Sequence, residues 1–318
     1  MKNIKKIIIK IKDGYLYKRT YTKYAKKVIK MMIKQGDWNN SFLEDIRFMY
    51  IKYTIPEIYK NTTDPEIRKC MEYVANNKPE VFCYDDARKS YYDIQDVHYD
   101  EAAKMYFGYW EGKKLYFKRS LNSPEMVRNY LSNSKWEQSL ESPHRYLTED
   151  FNVENGGVVF DIGGAEGNFS LTVIDKASKI YIFECDEEWI EALKLTFADY
   201  SDKIEIVKKY VSDKDSERTI TIDTAMKNYN VNSVDMVKMD IEGAEISAIK
   251  GAKQSIDSGM IMKWAVCTYH NPKDAEIISN LLSSYKREYS KGYMMHAIWQ
   301  LHNLKYPYWV KGVLRARL

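Results

Sequence analysis

From Gly157 onward, short apolar runs alternate with segments of helical periodicity. Val158–Asp161, Ile180–Phe183, Ile204–Val207, Val234–Met239 and Trp264–Thr268 read as strands. Asn168–Lys176, Asp186–Ala198, Ala244–Ile256 and Lys273–Ser284 read as the helices between and after them. The runs are apolar almost throughout, the pattern of strands covered by helices on both faces of a parallel sheet. Two later extended stretches, near Lys286–Ser290 and Trp309–Arg315, predict an antiparallel finish. The pattern is that of a doubly wound α/β domain, whose ligands bind beyond the carboxyl ends of the strands.

The upstream pattern differs. Tyr21 to Lys34 sets Tyr24, Val28, Met31 and Met32 against five lysines at helical spacing, which predicts an amphipathic basic helix. The competing reading is a solvated lysine face on a helix packed against its own domain. A second helix is expected over Phe42–Tyr53, before Pro56, and a third at Asp64-Pro65-Glu66. Another helix starts at Ser123-Pro124-Glu125. Met105–Trp110 and Leu115–Lys118 flank Glu111-Gly112-Lys113-Lys114, a predicted hairpin. The chain thus divides into an α+β region over 1–135 and an α/β domain over 136–318.

Composition narrows the function. Of 318 residues, 45% are hydrophobic and 30% charged, too charged for a membrane bundle. No apolar run approaches the roughly 20 residues that cross a bilayer, and the basic start lacks the apolar stretch of a secretory signal. Four scattered cysteines form no close pair, so a reducing cytosol is expected. The formal charge of +4 hides an asymmetry: residues 1–34 carry a net +11, leaving −7 on the remainder. A basic head suggests an anionic partner, such as the inner face of a membrane. The acidic body argues against nucleic acid, whose binding leans on phosphate contacts.

The candidate chemistry begins after the first strand, in Asp161-Ile162-Gly163-Gly164-Ala165-Glu166-Gly167-Asn168-Phe169. A glycine turn between strand and helix brings backbone amides against a ligand. Twenty-one residues past Gly163, the second strand ends in Glu184, placed to accept both ribose hydroxyls of a nucleotide. Dinucleotide and S-adenosylmethionine (SAM) sites share that geometry. G-x-G-x-x-G fails here at Ala165 and Asn168, and Asp161 and Glu166 would repel a pyrophosphate. The same carboxylates would attract the sulfonium and ammonium of SAM, by on the order of 1 kcal/mol at about 4 Å in water and more at lower dielectric. SAM is therefore the expected cofactor, with S-adenosylhomocysteine (SAH) as product. The structural alternative is a tight turn whose acids cap local amides.

Residues from about 140 to 270 resemble the FkbM family of SAM-dependent methyltransferases. The resemblance rests on Val159 to Gly167, Phe183-Glu184, Val211-Ser212-Asp213, and above all Lys238-Met239-Asp240-Ile241-Glu242-Gly243-Ala244-Glu245. It implies a seven-stranded, Rossmann-like methyltransferase sheet with an N-terminal α+β extension. It also implies methyl transfer to hydroxyl groups, often on sugars of surface glycans or on natural products. Asp240-Ile241-Glu242-Gly243 stands where enzymes that methylate base amines carry Asp/Asn-Pro-Pro-Tyr/Phe.

Cofactor contacts are expected from Asp161, Gly163, Gly164, Ala165, Glu166, Phe169, Glu184, Cys185, Ser212, Asp213 and Asp240. Arg145, in the segment before the first strand, is a candidate for the methionine carboxylate, with a plain linker as the alternative. Trp189 reads as helix packing. Asp240 reads as a crevice acid and also as a helix cap, with Glu242 and Glu245 as first-turn acids. His270 ends the fifth strand beside Asp240. A sugar hydroxyl must lose its proton as it attacks, a task for His270 oriented by Asp240 or Glu242. The same three groups could hold Mg²⁺; the metal-free base is preferred. Competing functions are a nicotinamide oxidoreductase, a small-molecule methyltransferase and a non-catalytic adaptor. Oligomeric state is not legible.

Overall fold

The computed structural model describes residues 51–52, 55–77, 79–84, 96–296 and 306–318. Tyr21–Lys34 lies outside them, as does Phe42–Tyr53 apart from Ile51 and Lys52, which are helical. Helix α1 (Pro65–Asn76) starts as the sequence predicts: Asp64 accepts from the amides of Glu66 and Ile67, with proline in the first turn. Strands β1 (His98–Asp100), β2 (Met105–Trp110) and β3 (Lys113–Tyr116) form a small antiparallel sheet. The β2–β3 turn is shorter than expected. Glu111 and Gly112 both take positive φ, 49° and 79°, so two residues close the hairpin and Lys113 and Lys114 join the strand. Helix α2 (Pro124–Glu137) follows, capped by Ser123.

The main domain then alternates. It runs β4 (Val158–Ile162), α3 (Asn168–Val173), β5 (Lys179–Phe183), α4 (Glu187–Thr196) and β6 (Ile204–Val207). A two-stranded parallel ladder, β7 (Tyr210–Val211) with β8 (Thr219–Ile220), precedes α5 (Ile222–Asn228) and β9 (Val234–Met239). Next come α6 (Glu245–Lys250), α7 (Lys253–Asp257), β10 (Ile261–Cys267) and α8 (Asp274–Leu281). The last strands are β11 (Lys286–Tyr289), β12 (Met294–Met295), β13 (Trp309–Val310) and β14 (Val313–Arg317). The one helix expected over Ala244–Ile256 is two, α6 and α7. His270 lies past the end of β10 and not within it.

The sheet has seven strands in the order β11-β14-β10-β9-β4-β5-β6. Strands β10, β9, β4, β5 and β6 are parallel, and β14 runs antiparallel to both β10 and β11. Alternate residues feed two cores, as the pleat requires. Val159, Ile180, Ile182, Met236 and Cys267 face one, together with α3, α4, β2, β3 and α2. Phe160, Tyr181, Phe183, Val237 and Trp264 face the other, with α5, α6 and α8. The small sheet therefore packs on the same apolar layer as the first helices of the main domain. A third cluster joins α1, Phe82 and the β12–β13 pair.

Candidate active site

The crevice lies at the carboxyl ends of β4, β5, β9 and β10. Gly163, at φ +81°, opens the turn after β4; a Cβ there would lie 2.0 Å from the Asp240 carbonyl oxygen, so no side chain fits. Its amide and that of Gly164 donate to the Phe183 carbonyl at 3.0 and 3.3 Å, tying the loop to β5. At the end of β5, Glu184 Oε2 accepts from the Ala165 amide at 2.9 Å, while Oε1 accepts from Cys185 and Asp186 at 2.6 and 2.8 Å. Glu184, Cys185 and Ala165 are thus brought together, all half-buried. Asp186 caps α4 through the Glu188 amide, and Trp189 is buried in helix packing against Tyr130. Ser212 and Asp213 reach the rim after β7, where both lie against the Ser247 hydroxyl at 3.3 Å.

Four expectations need correction. Asp161 does not face the crevice: it is fully buried, 3.0 Å from Lys238 Nζ, and accepts from Ser170 Oγ at 2.7 Å. Glu166 is buried beneath α2, accepting from Ser134 at 2.9 Å and Tyr130 at 3.1 Å; burial raises its carboxyl pKa. Phe169 packs edge-on against Tyr146 inside the core. Arg145 turns away, its Nε donating to the Leu147 carbonyl at 2.6 Å. The segment does cover the crevice, through its neighbours His144 and Tyr146. It is held by the Pro143 carbonyl, which accepts from Val313 N at 3.1 Å and from the Ser290 hydroxyl.

Asp240 is the hub. Its Oδ2 accepts from Tyr146 at 3.0 Å and its Oδ1 from Tyr269 at 3.2 Å. His144 Nε2 stands 3.3 Å from Oδ2 and His270 Nε2 stands 3.4 Å from Oδ1. Burial alone would raise this carboxyl's pKa, but His144, Lys238 and His270 outweigh it and hold the group far below the usual carboxylate range. That direction makes Asp240 a poor base, with 21% of its side chain exposed. It caps no helix, because Glu242 and Gly243 take φ of 56° and 99° in a tight turn and α6 begins only at Glu245. Glu242 projects outward, 94% exposed, 3.7 Å from His270 Nε2.

His270 is 9% exposed, with Nδ1 3.1 Å from Glu245 Oε1. Burial lowers its pKa, but Glu245, Asp240 and Glu242 together raise it above the usual imidazole value. His144 is raised in the same way by Asp240 and Glu137, against burial. Asp240, Glu245 and His270 each place one donor atom within 4.8 Å of the others. The imidazole nevertheless offers a different nitrogen to each carboxylate, whereas a metal site needs one lone pair per ligand converging on a point. Neither ring nitrogen makes a hydrogen bond among the described residues, so the ring is held between carboxylates by close approach alone.

Sequence reasoning missed several residues here. Lys238, 5% exposed, donates to the Gly163 carbonyl at 2.5 Å; its signal was a lysine inside an apolar strand. Glu137, whose carboxyl burial pushes up to about 7, ends a helix where the dipole disfavours an acid. His144, Tyr146 and Tyr269 carried no signal of their own.

A cofactor-binding domain of the SAM-dependent methyltransferase class is what this fold and crevice define. The chain belongs to the methyltransferase FkbM domain family, whose profile matches residues 137–306, just over half its length. Its structure is similar to that of the methyltransferase FkbM from Methylobacillus flagellatus, at 19% identity and a TM-score of 0.43, covering 60% of this chain and 54% of that one. TrmK of M. capricolum in complex with SAH is similar at 10% identity and TM-score 0.36, over 54% of this chain and 69% of that one. A 71-residue stretch is 34% identical to the "Probable ribosomal RNA small subunit methyltransferase A" of Methanococcoides burtonii, 22% of this chain and 24% of that protein. The chain thus spans about half of the FkbM structure and about a quarter of the curated relative.

Proposed function

We propose that this protein transfers a methyl group from SAM to a hydroxyl of a sugar in a surface glycan or glycoconjugate. The observation that carries the oxygen assignment is the corner made by Asp240 and His270, a fixed anion beside an imidazole beyond adjacent strands. The residues fit the cofactor. Glu184 offers a half-buried carboxylate over the glycine turn for the ribose, and Asp240 offers a half-buried carboxylate for a cationic centre.

SAM, when bound, supplies the methyl group on a sulfonium that is already a good leaving group. The chain's own work is then positioning and proton removal. His270 Nε2 lies buried beside Asp240 and Glu242 at the crevice, and it accepts the hydroxyl proton once a bound acceptor takes the place of a carboxylate next to it. Its raised pKa makes it a stronger base but leaves it protonated at lower pH, so turnover should rise with pH as the ring deprotonates. Asp240 keeps the resulting imidazolium paired.

Support for a sugar acceptor over a long nucleic acid is chemical: the acidic body suits a long nucleic acid poorly. Capsule and cell-wall glycans are commonly built on lipid carriers at an anionic membrane face, which the +11 of residues 1–34 would hold. The test is transfer of labelled methyl from SAM into glycan extracts, with mass spectrometry of surface glycans from cells with and without the gene. A lost methyl ether supports the reading. Label appearing in RNA or small molecules redirects it, and SAH binding without transfer to any extract favours an adaptor. His270→Ala should lower turnover by about 10²–10⁴-fold with SAH affinity intact.

A further inference from the structure

We propose that Gln138 is a positioning residue of the crevice: its side-chain amide keeps Nδ1 of His144 unprotonated, so that the ring's proton sits on Nε2 against Asp240. The inference rests on the reading of Asp240 as the carboxylate that a cationic cofactor meets, and deepens it. Gln138 closes α2, its backbone N–H donating to the carbonyls of Ser134 and Trp136. The chain then turns back, and the Gln138 side chain spans the turn to His144 and Tyr146. Its Oε1 accepts from the Tyr146 amide at 3.2 Å, and its Nε2 donates to the His144 carbonyl at 3.2 Å. A backbone N–H only donates and a backbone carbonyl only accepts, so these two contacts fix which end of the amide is which. The same Nε2 lies 3.3 Å from His144 Nδ1. A ring nitrogen that receives an N–H is the one without a proton.

The other side of the ring gives the same answer. His144 Nε2 stands 3.3 Å from Asp240 Oδ2 and 3.1 Å from the Tyr269 hydroxyl. Tyr269 donates its own proton to Asp240 Oδ1, so toward the ring its oxygen accepts. With acceptors at Nε2 and a donor at Nδ1, the neutral ring carries its proton on Nε2. His144, Asp240 and Cys267 also set one metal-ligating atom each within 4.8 Å of one another. A ligating imidazole, however, gives one lone pair to the metal and its other N–H to an acceptor, and Gln138 presents a donor there. The trio is therefore a hydrogen-bonded cluster and not a metal site.

Among the described residues, the charged and titratable groups that bear on the ring are Asp240, Glu137, Lys238, Cys267, Tyr146 and Tyr269. Asp240 and Glu137 outweigh burial and Lys238 and draw the ring toward the imidazolium. The Gln138 amide works against them, because an imidazolium needs a proton on Nδ1, where the amide already points one of its own. Held neutral, His144 supports Asp240 as a donor without cancelling its charge. With Nε2 protonated and the Nδ1 lone pair engaged, it also has nothing left to act as a base.

The SAH complex of the full chain, ¹⁵N-labelled at histidine, gives the first readout. In the unaltered protein the neutral His144 ring should carry its proton on Nε2, with Nδ1 at the shift of an unprotonated nitrogen that accepts a hydrogen bond. Gln138→Glu keeps an acceptor for the Tyr146 amide and sets a carboxylate oxygen against Nδ1. The His144 titration should then move to higher pH by about 1–3 units, the usual effect of a close opposite charge. At a pH between the two titrations SAM should lose affinity relative to SAH, because the positive ring stands against Asp240 and only SAM carries a sulfonium. A neutral ring protonated on Nδ1, stoichiometric zinc bound through His144, or an unmoved titration overturns the proposal. Equal weakening of SAM and SAH with the titration in place is the mark of a purely structural role and overturns it as well. If the titration moves while the ratio of the two affinities holds, the placement of the proton stands and the reading of Asp240 falls. If Gln138→Glu fails to fold, the Nδ1 shift in the unaltered protein decides.

Discussion

Replacing Lys238 by Met should destabilise the protein and loosen the glycine loop together. Lys238 Nζ stands 3.0 Å from Asp161 Oδ1, with side chains 6% and 0% exposed. Removing one partner of a buried ion pair costs about 3–5 kcal/mol, because the other charge is left without compensation. Asp161 would keep the Ser170 hydroxyl at 2.7 Å, and hydrogen bonds to charged groups contribute about 1.5–3 kcal/mol. The loss should therefore fall near the lower end, about 3 kcal/mol. The Gly163 carbonyl would also lose its 2.5 Å donor, so SAH affinity should fall too. In the double variant with Asp161→Asn no charge is stranded, and stability should recover by about 1–3 kcal/mol, the usual coupling of contacting residues. Urea unfolding of the four proteins, with calorimetric titration of SAH, measures both effects. A Lys238→Met protein within about 1 kcal/mol of the parent, or a double variant no more stable than the single, would refute the argument; core losses from a well-paired site are not that small.

Three further outcomes follow from the same geometry. Glu184→Ala should weaken SAH binding by about 1.5–3 kcal/mol, and unchanged affinity in a folded variant would remove Glu184 from the site. Methyl transfer should climb as pH rises through the raised His270 pKa and flatten above it; a rate that falls over that interval would contradict a base at this position. Vesicle co-sedimentation should require anionic lipid, weaken steeply with salt, and vanish when residues 1–34 are deleted from a protein that still binds SAH. Sedimentation indifferent to lipid charge would leave the basic head a packing element.

The fold was legible because strands buried on both faces leave an unbroken apolar run: Ile204–Val207 and Val234–Met239 coincide with observed strands end to end. Helix limits set by tertiary contact were not. The run expected over Ala244–Ile256 breaks at Gly251, where a Cβ would meet the Ser212 carbonyl at 2.1 Å, an approach that no local pattern records. The site divides the same way. Glu184, Asp240 and His270 could be placed because they follow strand ends, where topology alone dictates the crevice. Arg145 could not, because it sits just past a turn closed by its own amide on the Ser142 carbonyl, where no periodicity tells which side chain turns inward, and here His144 and Tyr146 do.

In the sequence Asp161 and Glu166 read as anions facing the ligand, yet Asp161 is matched by Lys238, 77 residues away in sequence, and Glu166 is closed under Tyr130 and Ser134. The negative edge is real, but Asp240 and Glu184 supply it. Lys238 and the two histidines that hold Asp240 ionised make that possible. A buried lysine in a strand thus serves the crevice at one remove. It neutralises Asp161 inside the sheet and leaves the half-buried Asp240 as the carboxylate at the crevice.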